Sequence, residues 1–110
     1  MSQITYQFDT VVSLLKAKEF ARLVEYVRTF AESGVSDAEC ELGNMYLCGQ
    51  GVPVDPVEAE RWLTKAAQQN NPIAWNNLGT LYSHCDVEKS RRCYNRAFEL
   101  GFVSAAHHAK

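Results

Sequence analysis

Seven side chains in this sequence could bind a soft metal ion or act as a nucleophile or base: Cys40, Cys48, Cys85, Cys93, His84, His107 and His108. Zinc sites in proteins usually contain closely spaced ligand pairs such as Cys-x-x-Cys, and this sequence has none. It also lacks a local signature that would pair a cysteine nucleophile with a histidine base. We therefore predict no metal site, no cofactor and no catalytic residue. The alternative is a zinc site in which His84 and Cys85 join Cys48 and Cys93 at irregular spacing.

The spacing of the cysteines also limits which of them can form disulfides. Cys40 and Cys48 are eight residues apart on one predicted helix, which is about 12 Å at roughly 1.5 Å per residue. The α-carbons of a disulfide are at most about 7 Å apart, so this pair is excluded while the helix exists. Pairing of Cys85 with Cys48 or with Cys93 stays geometrically open. Because we predict a cytosolic chain, we expect all four cysteines to be small buried side chains instead.

Two other patterns are typical of phosphate or nucleic-acid binding, but neither is specific here. Gly49-Gln50-Gly51 follows a predicted helix instead of a strand and lacks the Gly-Lys-Ser/Thr ending of a phosphate-binding loop. Four basic residues lie along one predicted helix: Lys89, Arg91, Arg92 and Arg96. The sequence pI of about 5.9 argues against a nucleic-acid partner. We predict that the chain binds another protein, and neither nucleic acid nor a membrane.

The composition is typical of a single globular domain. Of the 110 residues, 46% are hydrophobic and 22% are charged, which excludes a disordered chain. No apolar run approaches the roughly 20 residues of a transmembrane helix. The N-terminal residues lack the basic start and the apolar segment of a signal peptide. We therefore expect a cytoplasmic protein.

Charge is unevenly distributed along the chain. Residues 1–60 contain ten acidic and four basic side chains, whereas residues 61–110 contain three acidic and seven basic ones. In an array of stacked repeats the order along the chain is also the order in space, so this distribution predicts an acidic end and a basic end. Such an arrangement would favour fast association with a charged partner. Ordinary solvated helix faces are the alternative.

A repeated segment predicts the elements that position these side chains. Residues 38–46 and 74–82 both read Ala-x-x-x-Leu-Gly-x-Φ-Tyr, where Φ is apolar, at a spacing of 36 residues. A period of this size is typical of stacked helix pairs. We therefore predict an all-α, right-handed superhelix (solenoid) of three helix pairs plus a short C-terminal helix. Two helices within 5–34 precede the others, which are predicted at about 37–47, 56–70, 72–83, 87–100 and 103–110.

Local signals predict several of the helix ends. Gly34 suits the left-handed residue that ends the second helix. Ser36 or Asp37 is expected to cap the third helix, and Asp55, before a proline, is expected to cap the fourth.

The residues shared by the two copies are expected to pack helix on helix. Gly43 and Gly79 lack a side chain where neighbouring helix backbones should approach closely, which would outweigh the roughly 1 kcal/mol by which glycine weakens a helix. A tyrosine or tryptophan buried between the helices, as we expect for Tyr46 and Trp62, needs a hydrogen-bond partner.

The first copy resembles the Sel1-like repeat family, a branch of the tetratricopeptide-type helical solenoids. The family pattern is met by Ala38, Leu42, Gly43, Tyr46, Gly49, Gly51, Val52, Asp55, Ala59, Trp62, Lys65, Ala66 and Ala67. The second copy lacks the Gly-x-Gly-Val connector but keeps Ala74, Leu78, Gly79, Tyr82, Arg96 and Ala97. We therefore divide the single domain, 1–110, into a degenerate capping helix pair (1–36), a full repeat (37–71), a second repeat with a shortened connector (72–102) and a terminal helix (103–110).

The resemblance also implies a binding surface. Family members are mostly adaptors, regulators and partner-binding modules, with a concave surface lined by the first helix of each pair. Carried over by position, this surface would consist of Asp37, Cys40, Asn44, Leu47, Cys48, Ile73, Asn76, Thr80, Ser83 and His84, with Ser104 and His107 in the last helix. An acidic patch would consist of Glu39, Glu41, Asp55 and Glu58.

Together these features predict a protein–protein interaction module without catalytic activity. The version we favour is a small cytosolic inhibitor, such as an immunity protein that neutralises a cognate bacterial toxin. Its acidic end would cover a basic active site, as in a nuclease toxin, whose site must attract phosphates. The alternative is a regulatory adaptor that holds a peptide segment of another protein in the concave groove.

Overall fold

Six helices and no strand make up the part of the chain that the computed structural model describes, residues 5–102. The helices are α1 (Phe8–Lys16), α2 (Phe20–Glu32), α3 (Ser36–Cys48), α4 (Pro56–Gln68), α5 (Pro72–Tyr82) and α6 (Val87–Glu99). The predicted all-α class is confirmed, and the helix ends that were predicted agree with the observed ones to within about two residues, the usual uncertainty of such boundaries. The predicted terminal helix over 103–110, with Ser104 and His107, lies outside the described residues.

The helices form three hairpins, α1–α2, α3–α4 and α5–α6, that stack in chain order. α3 packs on α2, and α5 packs on α4 and also contacts α3. Contacts are therefore made mainly between helices that are close in the sequence, as in other helical solenoids.

Two hydrophobic clusters join the hairpins. The first connects α1, α2, α3 and α4 through the buried residues Val11, Leu23, Val27, Ala31, Ala38, Leu42, Met45 and Trp62. The second connects α3, α4, α5 and α6 through Cys40, Leu63, Ala66, Ala67, Ala74, Leu78 and Cys93. Both clusters include residues of α3 and α4, so the central hairpin links the two ends of the described fold.

Gly43 lies so close to α4 that a side chain would not fit. A Cβ atom at this position would be 2.7 Å from Leu63 Cγ and 3.2 Å from the carbonyl oxygen of Ala59. At Gly79 a Cβ atom would be 2.7 Å from two ring carbons of Tyr94. At both glycines the second helix of the hairpin leaves no room for a side chain, but a backbone atom of that helix is among the nearest atoms only at Gly43. The space is filled mainly by a side chain of the second helix, however, and less by its backbone.

The predicted helix ends are confirmed at Gly34 and Asp55 but are wrong for α3. Gly34 has a φ angle of +89°, and Asp55 accepts hydrogen bonds of 3.2 Å from two amides in the first turn of α4. α3 already begins at Ser36, after a valine whose side chain cannot cap it. Ser36 and Asp37 therefore lie inside the helix, where their side chains bind Asn71 instead.

Asn71 connects the last two hairpins at the start of α5. Its Oδ1 atom caps α5 by accepting hydrogen bonds from the amides of Ile73 (3.0 Å) and Ala74 (3.1 Å). Its Nδ2 atom donates to Ser36 Oγ at 2.9 Å and to Asp37 Oδ1 at 3.1 Å. A single buried amide thereby fixes the start of α5 against the start of α3.

The four cysteines are free thiols in two different environments. Cys40 and Cys93 are buried, as predicted, whereas Cys48 and Cys85 are exposed. The prediction of burial is wrong for the second pair because Cys48 is the last residue of α3 and Cys85 lies in the link between α5 and α6. Both positions are outside the stripes that pack between helices.

Of the two aromatic side chains expected to need a hydrogen-bond partner, the half-buried Tyr46 has one and the buried Trp62 has none within the described part of the chain. Tyr46 Oη accepts a hydrogen bond of 2.7 Å from Arg28 Nη2, as expected. Trp62 Nε1, by contrast, is buried and has no hydrogen-bond partner among residues 5–102, so the expectation is wrong there. The cations of Arg61 and Lys65 lie 4.6 Å and 4.8 Å from the centre of the Trp62 ring, and these contacts stabilise the ring through its π-face.

Candidate functional site

A cleft opens on the face formed by the first helix of each hairpin, between the start of α1, α3 and α5. It has a volume of about 330 Å³ and is lined by Tyr6, Phe8, Asp37, Cys40, Glu41, Asn71 and Ile73. Three of these residues, Asp37, Cys40 and Ile73, belong to the concave surface predicted from the sequence. We refer to this feature as the cleft.

The apolar part of the cleft consists of aromatic and aliphatic side chains that remain largely open to solvent. Phe8 is 74% exposed and Ile73 is 49% exposed. Tyr6 is held in place because its ring stacks on Tyr26, with centroids 5.7 Å apart, and packs against Phe30 at 5.4 Å. The cleft therefore has one fixed aromatic wall and two apolar side chains that a partner could cover.

The polar part of the cleft consists of two carboxylates of α3, Asp37 and Glu41. They are four residues apart on the helix, which places their Cβ atoms about 5–6 Å from each other. Asp37 accepts the hydrogen bond from Asn71 described above. Glu41 is half-buried and forms no hydrogen bond or ion pair within residues 5–102. Burial raises the pKa of the Glu41 carboxyl, since a carboxylate loses hydration there without gaining a partner.

The negative charge of the cleft also contributes to the raised pKa values of two neighbouring groups, Cys40 and Tyr6. Burial, followed by the charges of Glu41 and Asp37, raises the pKa of the Cys40 thiol to about 12. Burial and then the charge of Glu41 also raise the pKa of the Tyr6 hydroxyl, with smaller contributions from other neighbours that include Asp37. Burial disfavours any unpaired charge in the site, whereas the smaller contribution of the two carboxylates specifically opposes a further negative charge. The raised pKa of Cys40 also keeps this thiol protonated, which removes the thiolate that nucleophilic chemistry requires.

The predicted concave residues further along α3 lie in mixed environments. Asn44 and Leu47 are half-buried, and Cys48 is exposed at the end of the helix. The Cys48 thiol lies 3.8 Å from Asn44 Oδ1 and donates to it. None of these three residues lines the cleft.

Apart from Ile73, the predicted concave residues of α5 and of the link after it lie outside the cleft, and two of them form contacts within the last hairpin. Thr80 Oγ1 lies 3.0 Å from Tyr94 Oη, and Ser83 Oγ donates to the carbonyl oxygen of Thr80 at 2.7 Å. Asn76 is half-buried and His84 is exposed after the end of α5. These residues are therefore not brought together with the cleft, although they share the first helix of the hairpin or directly follow it.

The predicted acidic patch is not one surface, so this prediction is wrong. Glu39 is only 5% exposed and accepts a hydrogen bond of 2.7 Å from Gln69 Nε2. Asp55 caps α4, and Glu58 forms an ion pair with Arg61 at 2.6 Å. Of the four residues, Glu41 alone lines the cleft. Because Glu39 and Glu41 are two residues apart on a helix, they necessarily point to different sides of it.

The contribution of Tyr6, just before α1, and of Phe8, its first residue, was not predicted from the sequence. Tyr6 and Phe8 line the cleft, but the first hairpin is too divergent from the repeat pattern for positions to be carried over. For Asn71, the sequence predicted only a place near the end of the fourth helix. The Asn-Pro pair at 71–72 would have predicted a helix cap, but not the hydrogen bonds to α3.

The basic side chains of α6 are largely engaged with residues of the chain itself. Arg91 and Arg96 form ion pairs with Glu88 at 3.8 Å and with Glu99 at 3.4 Å. The ammonium group of Lys89 lies over the ring of Tyr82, 4.3 Å from its centre. This helix therefore presents mixed charge rather than a uniform basic stripe.

No helix between residues 5 and 102 is both long and apolar enough to cross a membrane. Over the same part of the chain, no three or more His, Cys, Asp or Glu side chains are grouped in a way that could hold a metal ion.

Comparison with known proteins places this architecture in a family. The model of the Sel1 repeat matches residues 36–71 and 76–102. The structure is similar to that of a Sel1 repeat protein from Oxalobacter formigenes, with 30% sequence identity and a TM-score of 0.74 over 81% of this chain and 38% of that one. It is also similar to c5321, a protective antigen present in uropathogenic Escherichia coli strains that displays an SLR fold, with 32% identity and a TM-score of 0.70 over 77% of this chain and 19% of that one.

The chain thus spans less than half the length of either protein. No curated protein matches it significantly. Sel1 repeats generally mediate interactions between proteins, and their fold is typically a non-catalytic scaffold. With more than half of its residues matched by the repeat model, the chain belongs to the Sel1 repeat family.

Proposed function

We propose that this chain is a protein-binding module and that the cleft holds a segment of its partner. The observation that carries the proposal is the presence, in one cleft, of exposed apolar side chains beside carboxylates that have no ion-pair partner among residues 5–102. Full burial of an exposed side chain of this size contributes about 1.5–3 kcal/mol, so Phe8, which is 74% exposed, would gain most of this and Ile73, which is 49% exposed, about half. The general role of Sel1 repeats in protein–protein interaction supports the same conclusion.

The side chains beyond the cleft suit an extended partner segment. Asn44 on α3 and Asn76 on α5 are half-buried amides that can both donate and accept hydrogen bonds. An extended peptide has backbone amides and carbonyls that need such partners along its length. In the adaptor version of the proposal, the cleft anchors one or two side chains of the segment, and the amides bind its backbone.

A second version, an inhibitor of a cognate bacterial toxin in the cytoplasm, is favoured by the negative charge of the cleft. A nuclease must attract phosphates, so its active site is basic, and an acidic surface would complement it. Co-expression of this chain with a toxin encoded beside it should restore growth if the proposal holds. Failure of rescue by a chain that is expressed and folded would refute this version.

The experiment that tests the main proposal compares two matched double variants. The chain is first used to isolate its partner from the source organism, and the affinity is then measured by calorimetry with purified proteins. Phe8→Ala with Ile73→Ala removes the apolar part of the cleft. Phe98→Ala with Val87→Ala removes exposed apolar side chains of α6, away from the cleft. All four side chains are exposed, so neither variant should change the free energy of unfolding appreciably.

We expect the cleft variant to weaken binding at least tenfold, which corresponds to a loss of about 1.4 kcal/mol. The α6 variant should bind like the unmodified chain. Equal affinities of the two variants would contradict the assignment of the cleft as the binding surface. The Asn44→Ala, Asn76→Ala double variant tests the extended segment in the same assay, since it should weaken binding without loss of helicity.

A further inference from the structure

The charged half of the cleft restricts the chemistry of the segment that can bind there. Asp37 and Glu41 lie one turn apart on α3, and Phe8 and Tyr6 provide aromatic surface beside them. Of the two carboxylates, Asp37 already accepts one hydrogen bond, whereas Glu41 has no partner within residues 5–102. A half-buried carboxylate without a partner is unfavourable, so a ligand that supplies a cation would relieve this arrangement.

Two arginines of α2 and α4, the helices that pack on α3, are engaged elsewhere. Arg28 donates to the hydroxyl of Tyr46 on the other side of α3. Arg61 pairs with Glu58 on α4. Within the described residues, the four ion pairs involve neither Asp37 nor Glu41. Among residues 5–102 the two carboxylates thus have no ion-pair partner, so a basic side chain of the partner would meet no competing cation from this part of the chain.

We infer that the cleft recognises a lysine or arginine side chain of the partner segment, placed next to an apolar residue that packs on Phe8 and Ile73. This inference rests on the proposed function and specifies the class of partner. Two carboxylates about one helical turn apart can receive a planar guanidinium or an ammonium through charge-assisted hydrogen bonds. The aromatic rings of Tyr6 and Phe8 would contact the same cation through their faces.

The size of the cleft fits this assignment. A volume of about 330 Å³ is at the lower end of the range of small-ligand pockets, about 300–1,000 Å³. It therefore accommodates one long side chain and part of its neighbour, but not a folded domain. The remaining partner surface would lie outside the cleft, along α3 and α5.

The test uses two blocked pentapeptides that differ only in charge. The first is acetyl-Ala-Leu-Arg-Leu-Ala-amide, and the second replaces arginine by citrulline, which has nearly the same shape but is neutral. Each is titrated into isotope-labelled protein, and binding is followed by the amide chemical shifts of Asp37, Glu41 and Ile73. We expect the arginine peptide to bind at least fivefold more tightly, with a preference that decreases as salt screens the charges.

Two protein variants identify the source of the preference. Asp37→Asn combined with Glu41→Gln keeps the shape of the cleft but removes its charge, and should bind both peptides equally. Glu58→Gln removes a carboxylate that is paired with Arg61 outside the cleft, and should retain the preference. A preference that survives in the first variant would overturn the inference.

The outcomes also separate this inference from the proposed function. Equal binding of both peptides, with shifts at Phe8 and Ile73, would overturn the requirement for a cation and leave the cleft as a binding surface. The absence of shifts at the cleft with either peptide would likewise refute the recognition of a basic side chain. Failure of the proposed function itself would instead appear as unchanged affinity of the Phe8→Ala, Ile73→Ala variant for the natural partner.

Discussion

Because Gly43 lies against α4, we expect the effect of Gly43→Ala on the free energy of unfolding to change sign with the residue at position 63. In an unconstrained helix, Gly43→Ala would stabilise the fold by about 1 kcal/mol because of the higher helix propensity of alanine. Here the new methyl group would lie 2.7 Å from Leu63 Cγ, 2.9 Å from Leu63 Cδ2 and 3.2 Å from Ala59 O. Three such contacts belong in the upper part of the roughly 1–3 kcal/mol that overpacking costs. The net expectation is a loss of about 1–2 kcal/mol.

Removal of the Leu63 side chain should reverse this sign. Leu63→Ala creates a cavity at a fully buried position and by itself should destabilise the fold by about 2–5 kcal/mol. In that background the Gly43→Ala methyl no longer meets Leu63, so it should stabilise the fold by up to about 1 kcal/mol. The remaining contact with Ala59 O reduces this gain. The interaction energy between the two substitutions is then about 2–3 kcal/mol, within the range found for neighbouring residues.

Urea denaturation of the four proteins in this cycle measures the effect, with helicity followed by circular dichroism. Gly79→Ala provides the matched control, since its methyl would meet Tyr94 and not Leu63. It should destabilise the fold by the same amount whether or not Leu63 is present. If Gly43→Ala stabilised the unmodified chain, or destabilised both backgrounds equally, the close approach of α3 and α4 would not be the reason for this glycine.

Three further predictions concern single side chains. Asp55→Ala should lower the free energy of unfolding by about 1 kcal/mol, measured by urea denaturation, because α4 loses its cap; a loss equally large in Asp55→Asn would contradict this reason. Glu41→Gln should raise the free energy of unfolding at pH 7, because a carboxyl whose pKa is raised in the folded chain destabilises it at any pH well above the unfolded pKa. This advantage should disappear as the pH falls below the ordinary glutamate pKa of 4.5, and thermal denaturation across this range would show it. Iodoacetamide at pH 8 should modify the exposed thiols of Cys48 and Cys85 well before Cys40, whose pKa is about 12; equal rates by mass spectrometry would refute the buried position of Cys40.

Much of the fold follows from residues that repeat. Leu42 and Leu78 occupy the same buried position in two hairpins, and Gly43 and Gly79 the same close approach. The environment of such a position depends on the geometry of its own helix and on the neighbouring hairpin. The residues that determine both lie within one repeat of the sequence. For this reason the central and last hairpins could be predicted from sequence to within about two residues.

The cleft could be predicted only in part, because it combines residues that do not repeat. Asp37 and Ile73 occupy equivalent positions of α3 and α5, so the helical register was sufficient to select them. Tyr6 and Phe8 come from the divergent first hairpin and its preceding segment, and their place depends on how α1 packs on α2. Glu41 was predicted to share an acidic patch with Glu39, Asp55 and Glu58, whereas its environment depends on which side of α3 it occupies.

The hydrogen bonds of Gln69 and Asn71 limit how an array of this kind can change its length. These side chains follow α4 and reach back to Gly34, Glu39, Ser36 and Asp37, about one period earlier in the chain. A single-residue insertion between the two groups would move these partners out of register. Duplication of the complete segment 34–71 would instead give each copy both groups, so each copy could form the same hydrogen bonds. The central hairpin is therefore suited to duplication as a complete unit, which would lengthen the array by one helix pair without disturbing the hydrogen bonds already present.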